Sequence, residues 1–479
     1  MLKSLLSLYS WRYPAAVVYM LQSTEYQVRP YLRWYWQTNN FSQVMYRRVL
    51  DPTKAARLLL LAMRLGIIVQ LLVGLGLIAG WQWGHLTGGL YFGLAVIVSY
   101  PLIWAHAITL PLVLGRLLIV APRHRMYIKE SEAIFRAHPG VKLAIAGSYG
   151  KTSMKELLLT VLQEGKKVAA TPANKNVSIS HAYFAKKLTG DEEVIIIEYG
   201  EGAPGDVERF AHITHPTHAI ITGIAPAHLD RYKTVQRATE DIFSVSEAVA
   251  ARQVYVNEES ELAKRAMRKK QQGYSDKGAL GWKVAHITVG LHGTSFTLKK
   301  GKRSLGLHSG LVGRHQVGPL ALVAALAADL GLSDEQIERG IAHTMPFEHR
   351  MQPYELDGAW IIDDTYNGNI EGIRAGTKLL AELPAKRKIY ITPGLVDQGR
   401  EAASVHQQMG ELIAAAQPDI VVLMENSATL DISKGLQDAG FAGELLVENN
   451  PLDFYTNINT FVASGDVVLM QNDWTDNYA

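Results

Sequence analysis

The chain has 479 residues, no cysteine, and a formal net charge of +3 from 48 Lys+Arg against 45 Asp+Glu. That length implies two or three domains with substantial cores, and the lack of cysteine excludes a disulfide scaffold, a thiolate zinc site and a cysteine nucleophile. So even a charge balance gives no case for a nucleic-acid partner.

The apolar content is concentrated at the front. Six of the nine Trp lie in the first 104 residues, and no Asp, Glu, Lys or Arg occurs from Leu65 to Gly115. Residues 1–56, rich in Trp, Tyr and Arg, read as an amphipathic segment at a membrane interface. Residues 57–116 read as a two-helix transmembrane hairpin. The spans are Leu65–Trp83 and about Leu90–Leu114, each close to the ~20 apolar residues that cross a bilayer core. Trp81, Trp83 and Tyr91 surround the turn at Gly84–Gly89, where amphipathic rings favour the interface. Pro101 and Pro111 fall in the second span, where proline is tolerated. The apolar region starts too late for a cleavable signal peptide. The alternative is a buried helical pair in a soluble protein.

Basic residues give the orientation. Lys3, Arg12, Arg29, Arg33, Arg47, Arg48, Lys54 and Arg57 precede the spans, Arg116, Arg123, Arg125 and Lys129 follow them, and the turn carries none. Both termini and the remaining domains are therefore expected on the cytoplasmic side of the membrane.

After a linker at 117–138 the pattern changes to short apolar runs alternating with helical stretches. Val141–Ala146, Val194–Glu198, His218–Thr222, Val254–Asn257, Trp360–Ile362, Lys388–Thr392, Ile420–Met424 and Val467–Met470 read as buried strands. This alternation predicts an α/β fold with doubly wound parallel sheets. Residues 283–312, with Thr294–Leu298 and a Gly-rich turn, read as an antiparallel insertion. A boundary near Pro346 divides a central domain, 139–345, from a C-terminal domain, 346–479.

Gly147-Ser148-Tyr149-Gly150-Lys151-Thr152-Ser153 follows the first of these strands and precedes a helix. Glycines there admit backbone N–H groups to phosphate, the helix N-terminus adds its dipole, Lys151 can reach the terminal phosphates and Thr152 can ligate Mg²⁺. The spacing is compact, since the first glycine of the usual P-loop pattern would fall at Ile145. Three further stretches sit at strand ends, where ligands collect in open α/β sheets. They are Thr171–Asn176, Ile197–Gly200 with Pro204-Gly205-Asp206, and Ile224–Asp230. Glu198 and His228 are able to hold a second divalent cation there. His212, His215 and His218 read as structural or surface residues, because Pro216 breaks the helix between them.

In order along the chain, these motifs resemble the Mur ligase superfamily, and within it the ligases that add D-alanyl-D-alanine to the peptidoglycan precursor. Gly313-Arg314-His315-Gln316, Arg350-Met351, Asp363-Asp364-Thr365-Tyr366-Asn367-Gly368-Asn369 and Gly465-Asp466-Val467-Val468-Leu469 extend the likeness to the C-terminus. The resemblance implies a P-loop Mur-ligase central domain, a Rossmann-like C-terminal domain and an ATP-dependent, ADP-forming amide ligase of cell-wall synthesis. It implies ATP and Mg²⁺ as cofactors, and a precursor peptide and an amino acid or dipeptide as partners.

The resemblance also implies roles for individual residues. Lys151, Glu198 and His228 would be catalytic. Gly147, Ser148, Gly150, Lys151, Thr152, Ser153, His315, Arg350, Asp363 and Asn367 would hold the nucleotide. Asn174 and Asn176 would face the substrate, and Thr152, Glu198 and His228 the metal. A histidine at the position of His406 also recurs in the family; a helix-capping or surface role is the alternative.

Three departures stand out. The carbamylated lysine that the family often carries after its AHLD stretch is absent; either an acidic group such as Glu240 or Asp241 substitutes for it, or the metal is held differently. Gln471-Asn472-Asp473 replaces a KGS stretch. The membrane hairpin stands where the family has its UDP-binding domain, so the acceptor is either lipid-linked or gripped by another surface. A ligase for another poly-amino-acid or folate-like glutamate chain, a catalytically silent ATP-binding scaffold, and a P-loop NTPase or kinase that releases phosphate without forming an amide are the rival readings.

Overall fold

The computed structural model describes every residue except 1–5, 43, 45–49, 173–174, 227–228, 367, 397, 399–400 and 473–479. The chain forms two compact units, Met1–Met126 and Tyr127–Ala479.

In the first unit, α1 (Tyr13–Ser23) and α2 (Val28–Gln37) precede the long α3 (Lys54–Gln82). The return stretch is helical in three pieces, α4 (Gly89–Val98), α5 (Tyr100–Ala107) and α6 (Thr109–Gly115). A π-helical turn, Arg116–Val120, and α7 (Ala121–Ala137) follow, so the expected linker at 117–138 is almost wholly helical. Two helical stretches, Lys54–Gln82 and Tyr100–Ala137, are long and apolar enough to cross a membrane.

The breaks at Ser99 and Ile108 have a direct cause. Pro101 and Pro111 bring no N–H, so the carbonyls of Ile97 and Ala107 lose their usual helical partners. Ser99 and Ile108 keep right-handed helical dihedrals, and the path continues. Side chains bond to carbonyls around these breaks. Tyr9 Oη donates to Val98 O (2.9 Å), Tyr13 Oη to Pro101 O (2.6 Å), Tyr31 Oη to Ala105 O (2.7 Å) and Gln70 Nε2 to Val96 O (2.7 Å). Tyr13, Val17, Met20, Leu21, Tyr31, Tyr35 and Phe41 form a core with Met63, Ile67, Ala105 and Ile108. The front segment therefore packs onto the apolar helices through these buried residues and leaves Trp11 and Trp36 outside.

The second unit contains two sheets. Ten strands form the first: β1 (Val141–Ala146), β2 (Val168–Ala170), β3 (Val194–Glu198), β4 (His218–Ile221), β5 (Val254–Asn257), β6 (Gln272–Ser275), β7 (Gly278–Ala279), β8 (Trp282–Gly290), β9 (Gly293–Lys300) and β10 (Arg303–Ser309), in the order β10-β9-β8-β7-β6-β5-β4-β1-β3-β2. Strands β1 to β6 pair in parallel, and β6 to β10 are linked antiparallel, which gives the expected insertion.

Alternate residues of the central strands feed opposite faces. Leu143, Ile145, Ile196 and Ile220 pack under α8 (Lys151–Leu162) and a later helix, Val317–Asp329, while Ala144, Ala146, Ile197 and Ile221 face Phe135, Phe210 and Ile242. Burial on both faces is why these strands read as unbroken apolar runs.

The second sheet has β11 (Gln352–Leu356), β12 (Ala359–Asp364), β13 (Arg387–Thr392), β14 (Ile420–Met424), β15 (Glu444–Glu448) and β16 (Asp466–Gln471), in the order β11-β12-β16-β13-β14-β15. Only the β11–β12 pairing is antiparallel among these strands.

Candidate active site

Strand β1 lies between β3 and β4, so the loops leaving all three meet at one edge of the first sheet. A crevice at the carboxyl ends of the strands, where the strand order reverses, is the usual ligand position in such folds.

The loop after β1 needs its glycines. Gly147 has φ +148°, and a Cβ there would collide with the Thr222 hydroxyl and approach the Gly223 carbonyl to 2.9 Å. Gly150 caps α8 in the left-handed region at φ +76°. Ser148 N donates to Gly223 O (2.7 Å) and the Thr222 hydroxyl donates to Tyr149 O, tying the loop to the end of β4. The Tyr149 ring covers Gly223, where a side chain would overlap it. Burial raises the Tyr149 pKa, a bond to Ser260 opposes this, and the charges of Glu371 and Glu259 add to the rise. Lys151, Thr152 and Ser153 form the first turn of α8, half-buried. The Ser148 hydroxyl is buried without a hydrogen-bond partner.

Glu198, at the end of β3, is almost fully buried. Its Oε1 accepts from Thr152 Oγ1 and from Asn176 Nδ2, both at 3.2 Å. Its Oε2 has no hydrogen bond and lies 3.6 Å from the buried ammonium of Lys155. Behind it, His181 Nε2 donates to the Glu198 carbonyl (2.9 Å) while Nδ1 has no partner. Burial pushes the His181 pKa down to about 4, so the ring is neutral at pH 7. Lys151 Nζ donates to Gly147 O and pairs with Glu201 Oε2 at 2.7 Å.

Neither substitute for the missing lysine reaches this group. Glu240 is exposed and accepts from Gln236 (2.9 Å). Asp241 is buried and accepts from Gly205 N and Tyr232 Oη, both at 2.7 Å. Asp241 therefore builds the loop after β3.

A second cluster forms where the chain enters the second sheet. Asp363 Oδ2 bonds His349 Nδ1 (2.7 Å) and its Oδ1 accepts from Thr365. The Arg350 guanidinium lies 4.3 Å over the Tyr366 ring. Asp364 accepts from Met351 N (3.2 Å) and Gln471 Nε2 (2.7 Å), and burial pushes its pKa up to about 7. Gln471 also accepts from Tyr390 Oη (2.9 Å), so the departure from the KGS pattern begins with a residue that fastens β16 to β12 and β13. His315 stands beside Gly313, where a Cβ would meet its ring. It pairs with Gln316 Nε2 at 2.9 Å, and burial pushes its pKa to about 4. His406 is buried rather than on the surface, and its Nε2 accepts from Leu395 N at 3.0 Å.

The structure thus brings Gly147, Ser148, Gly150, Lys151, Thr152, Asn176 and Glu198 into one group, with Ser153 on the same helix turn. Arg350 and Asp363 form another. Asn174, His228 and Asn367 lie outside the described residues. Glu201, Lys155, His181 and His349 carry no motif signal in the sequence, and Asp364 lies in the quoted Asp363–Asn369 stretch with no role assigned to it. Among the described residues, no group of three or more His, Asp or Glu side chains forms a metal site.

Residues 145–328 match the family model for the Mur ligase middle domain, and residues 349–471 that for the Mur ligase glutamate ligase domain. The chain belongs to the Mur ligase superfamily. A Mur ligase is an ATP-dependent, Mg²⁺-requiring enzyme, and that activity is this chain's own class. The UDP-N-acetylmuramoyl-tripeptide–D-alanyl-D-alanine ligase of Escherichia coli is 27% identical over 341 residues, covering 69% of this chain and 73% of the relative. The crystal structure of MurF from Acinetobacter baumannii superposes with a TM-score of 0.63 at 18% identity, covering 73% of this chain and 77% of that one. MurF from Thermotoga maritima in complex with ADP gives 0.62 at 20% identity, covering 73% and 80%. This Mur ligase therefore has the α/β fold that its motifs imply.

Proposed function

We propose that this Mur ligase is anchored in the cytoplasmic membrane by its first unit. There it joins D-alanyl-D-alanine, or a similar amino acid or dipeptide, to the carboxylate of a muramyl-peptide precursor. The observation that carries the reading is the convergence of Lys151, Thr152 and Glu198 on one sheet edge, in a chain related to the Escherichia coli ligase named above.

In the proposed chemistry the substrate carboxylate attacks the γ-phosphorus of ATP, the β–γ bridging bond breaks and ADP leaves. The amine then attacks the acyl phosphate, and inorganic phosphate leaves as the amide forms. Lys151 would meet the charge spread over the phosphoryl oxygens. The Thr152 hydroxyl and the unbonded Oε2 of Glu198 are hard oxygen donors that suit Mg²⁺. When bound there, Mg²⁺ supplies charge neutralisation to the phosphoryl group. Asn176, bonded to Glu198, would orient the carboxylate-bearing substrate. His228 and Asn174 would complete this side, the neutral His315 would meet the nucleotide from the turn before the helix Val317–Asp329, and Arg350, Asp363 and Asn367 would hold it from the second sheet, so that closure of two domains assembles the site.

The apolar faces of α3 to α6, exposing Leu65, Ile68, Val69, Leu72, Val73, Phe92 and Leu110 among others, fit lipid. They also favour a second reading, in which the acceptor is lipid-linked. Detergent-purified protein would be given ATP, Mg²⁺ and D-Ala-D-Ala with either UDP-muramyl-tripeptide or its lipid-linked counterpart, and the product weighed. A coupled product with one acceptor, only when D-Ala-D-Ala is present, is expected. ATP binding with no product from either acceptor would sink the reading and favour the silent scaffold.

A further inference from the structure

Around the turn between the first strand and α8, the charges are tightly matched. Lys151 Nζ is held at 2.7 Å by Glu201 Oε2, and both side chains are largely buried. Lys155 Nζ stands 3.6 Å from Glu198 Oε2 and 3.1 Å from Glu156 Oε1. Glu201 lies three residues beyond Glu198, on the loop shaped by Asp241 through Gly205 N and by Tyr232 through Ala203 O (3.2 Å). That loop aims its carboxylate at the ammonium best placed to meet a phosphate chain.

Two consequences follow from elementary electrostatics. A phosphate that takes up Lys151 competes with Glu201 for the same cation, in a site sheltered from water where opposite charges attract strongly. The phosphate is also repelled by Glu198 and Glu201 together. A divalent cation bridging phosphate and carboxylates removes both penalties, whereas a bare polyphosphate meets them in full.

We propose that Glu201 is a positioning residue that makes nucleotide capture depend on a divalent cation. It holds the Lys151 ammonium over the Gly147 carbonyl and yields it to phosphate only when metal balances the carboxylates. The proposal rests on the reading of Gly147–Ser153 as the phosphate cradle. It gives the loop after β3 a role in metal dependence separate from the ligand role proposed for Glu198. Glutamine at 201 keeps an oxygen for the Lys151 hydrogen bond and removes the charge.

The test is equilibrium binding of a fluorescent ATP analogue to the full-length protein in detergent, with excess Mg²⁺ and with EDTA. For Glu201→Gln, metal-free affinity is expected to rise on the order of tenfold while affinity with Mg²⁺ moves much less, so the Mg²⁺ dependence collapses. Glu201→Ala is expected to shift the ratio the same way, and the exposed Glu240→Gln to leave it unchanged. A purely structural role for Glu201 would weaken both affinities together; that result, or an unaltered ratio, overturns the proposal. Wild-type protein that binds the analogue in neither condition, or Lys151→Ala that binds like wild type, would overturn the phosphate-cradle reading and the proposal with it, whereas an unaltered ratio for Glu201→Gln beside weakened binding by Lys151→Ala overturns the proposal alone.

Discussion

Lys151 and Glu198 each have more than one partner around the β1 loop. Lys151→Ala removes the ammonium aimed at the phosphates and is expected to abolish ATP turnover; turnover within a few-fold of wild type would exclude the phosphate role. Glu198→Ala leaves Thr152 and Asn176 without their shared acceptor. It is expected to raise the Mg²⁺ concentration needed for turnover sharply, and an unchanged Mg²⁺ titration would remove Glu198 from the metal shell.

His181 gives a pH signature. Its folded pKa of about 4 lies below the ordinary histidine value of 6.5, so the unfolded chain binds the proton first as pH falls. The stability tied to the neutral ring is complete above pH 6.5 and is lost as pH drops toward 4, at most on the order of 3 kcal/mol. His181→Phe keeps the ring packed against Tyr199 and Phe210 but cannot protonate. Thermal midpoints between pH 7 and 5 are expected to fall less steeply in the variant, with His315 supplying part of the remaining slope. Identical slopes would show that His181 titrates normally.

At the scale of elements, the strands legible in the sequence are those buried on both faces. Val141–Ala146, Val194–Glu198, Val254–Asn257 and Ile420–Met424 coincide with β1, β3, β5 and β14 to the residue, because a doubly covered parallel strand must be apolar throughout. Strands β2, β6, β7, β11 and β15 leave no such run. They are short or at an edge, and Glu444–Glu448 exposes most of its residues. The glycines of the β1 loop and the prolines of the second apolar stretch are legible for a local reason, since each acts on its own backbone.

Glu201 is not legible. Its pairing with Lys151, 50 residues away, exists only because the loop after β3 folds over the start of α8. Asp241 shows the converse: its position in the sequence marks it as a charge for the site, and the fold spends it on Gly205 N and Tyr232.

Two predictions belong to this scale. Gly147→Ala forces a side chain into Thr222 at a φ that L-residues avoid, and nucleotide affinity is expected to fall by at least about tenfold. Equal affinity would mean that the loop tolerates a Cβ. Tyr13→Phe strips a buried donor from the Pro101 carbonyl, worth about 1–2 kcal/mol. The thermal midpoint of the first unit in detergent is expected to drop, and no change would mean that the aromatic segment does not brace the proline break.

For the whole molecule, the chain joins an apolar helical unit to the two α/β sheets of a Mur ligase. Composition alone separates these parts, because a charge-free stretch of 51 residues has no place in the strand–helix alternation that follows. The proposed topology puts residue 1 and the catalytic sheets on the same side of the membrane. Cysteines introduced singly at Ser42, His85 and Ser404 of this cysteine-free protein would be labelled in intact cells with an impermeant thiol reagent. Only the cysteine at 85 is expected to react; labelling at 404 would reverse the orientation.

The account rests on a carboxylate oxygen becoming part of the released phosphate. The direct measurement uses a muramyl-tripeptide acceptor, presented in whichever linkage supports turnover, with ¹⁸O in its terminal carboxylate, incubated with ATP, Mg²⁺ and D-Ala-D-Ala, and phosphate analysed by mass. One ¹⁸O atom in each inorganic phosphate, formed in step with the amide, is the expected result. Phosphate released without ¹⁸O would mean that water attacks ATP, and would contradict the ligase mechanism.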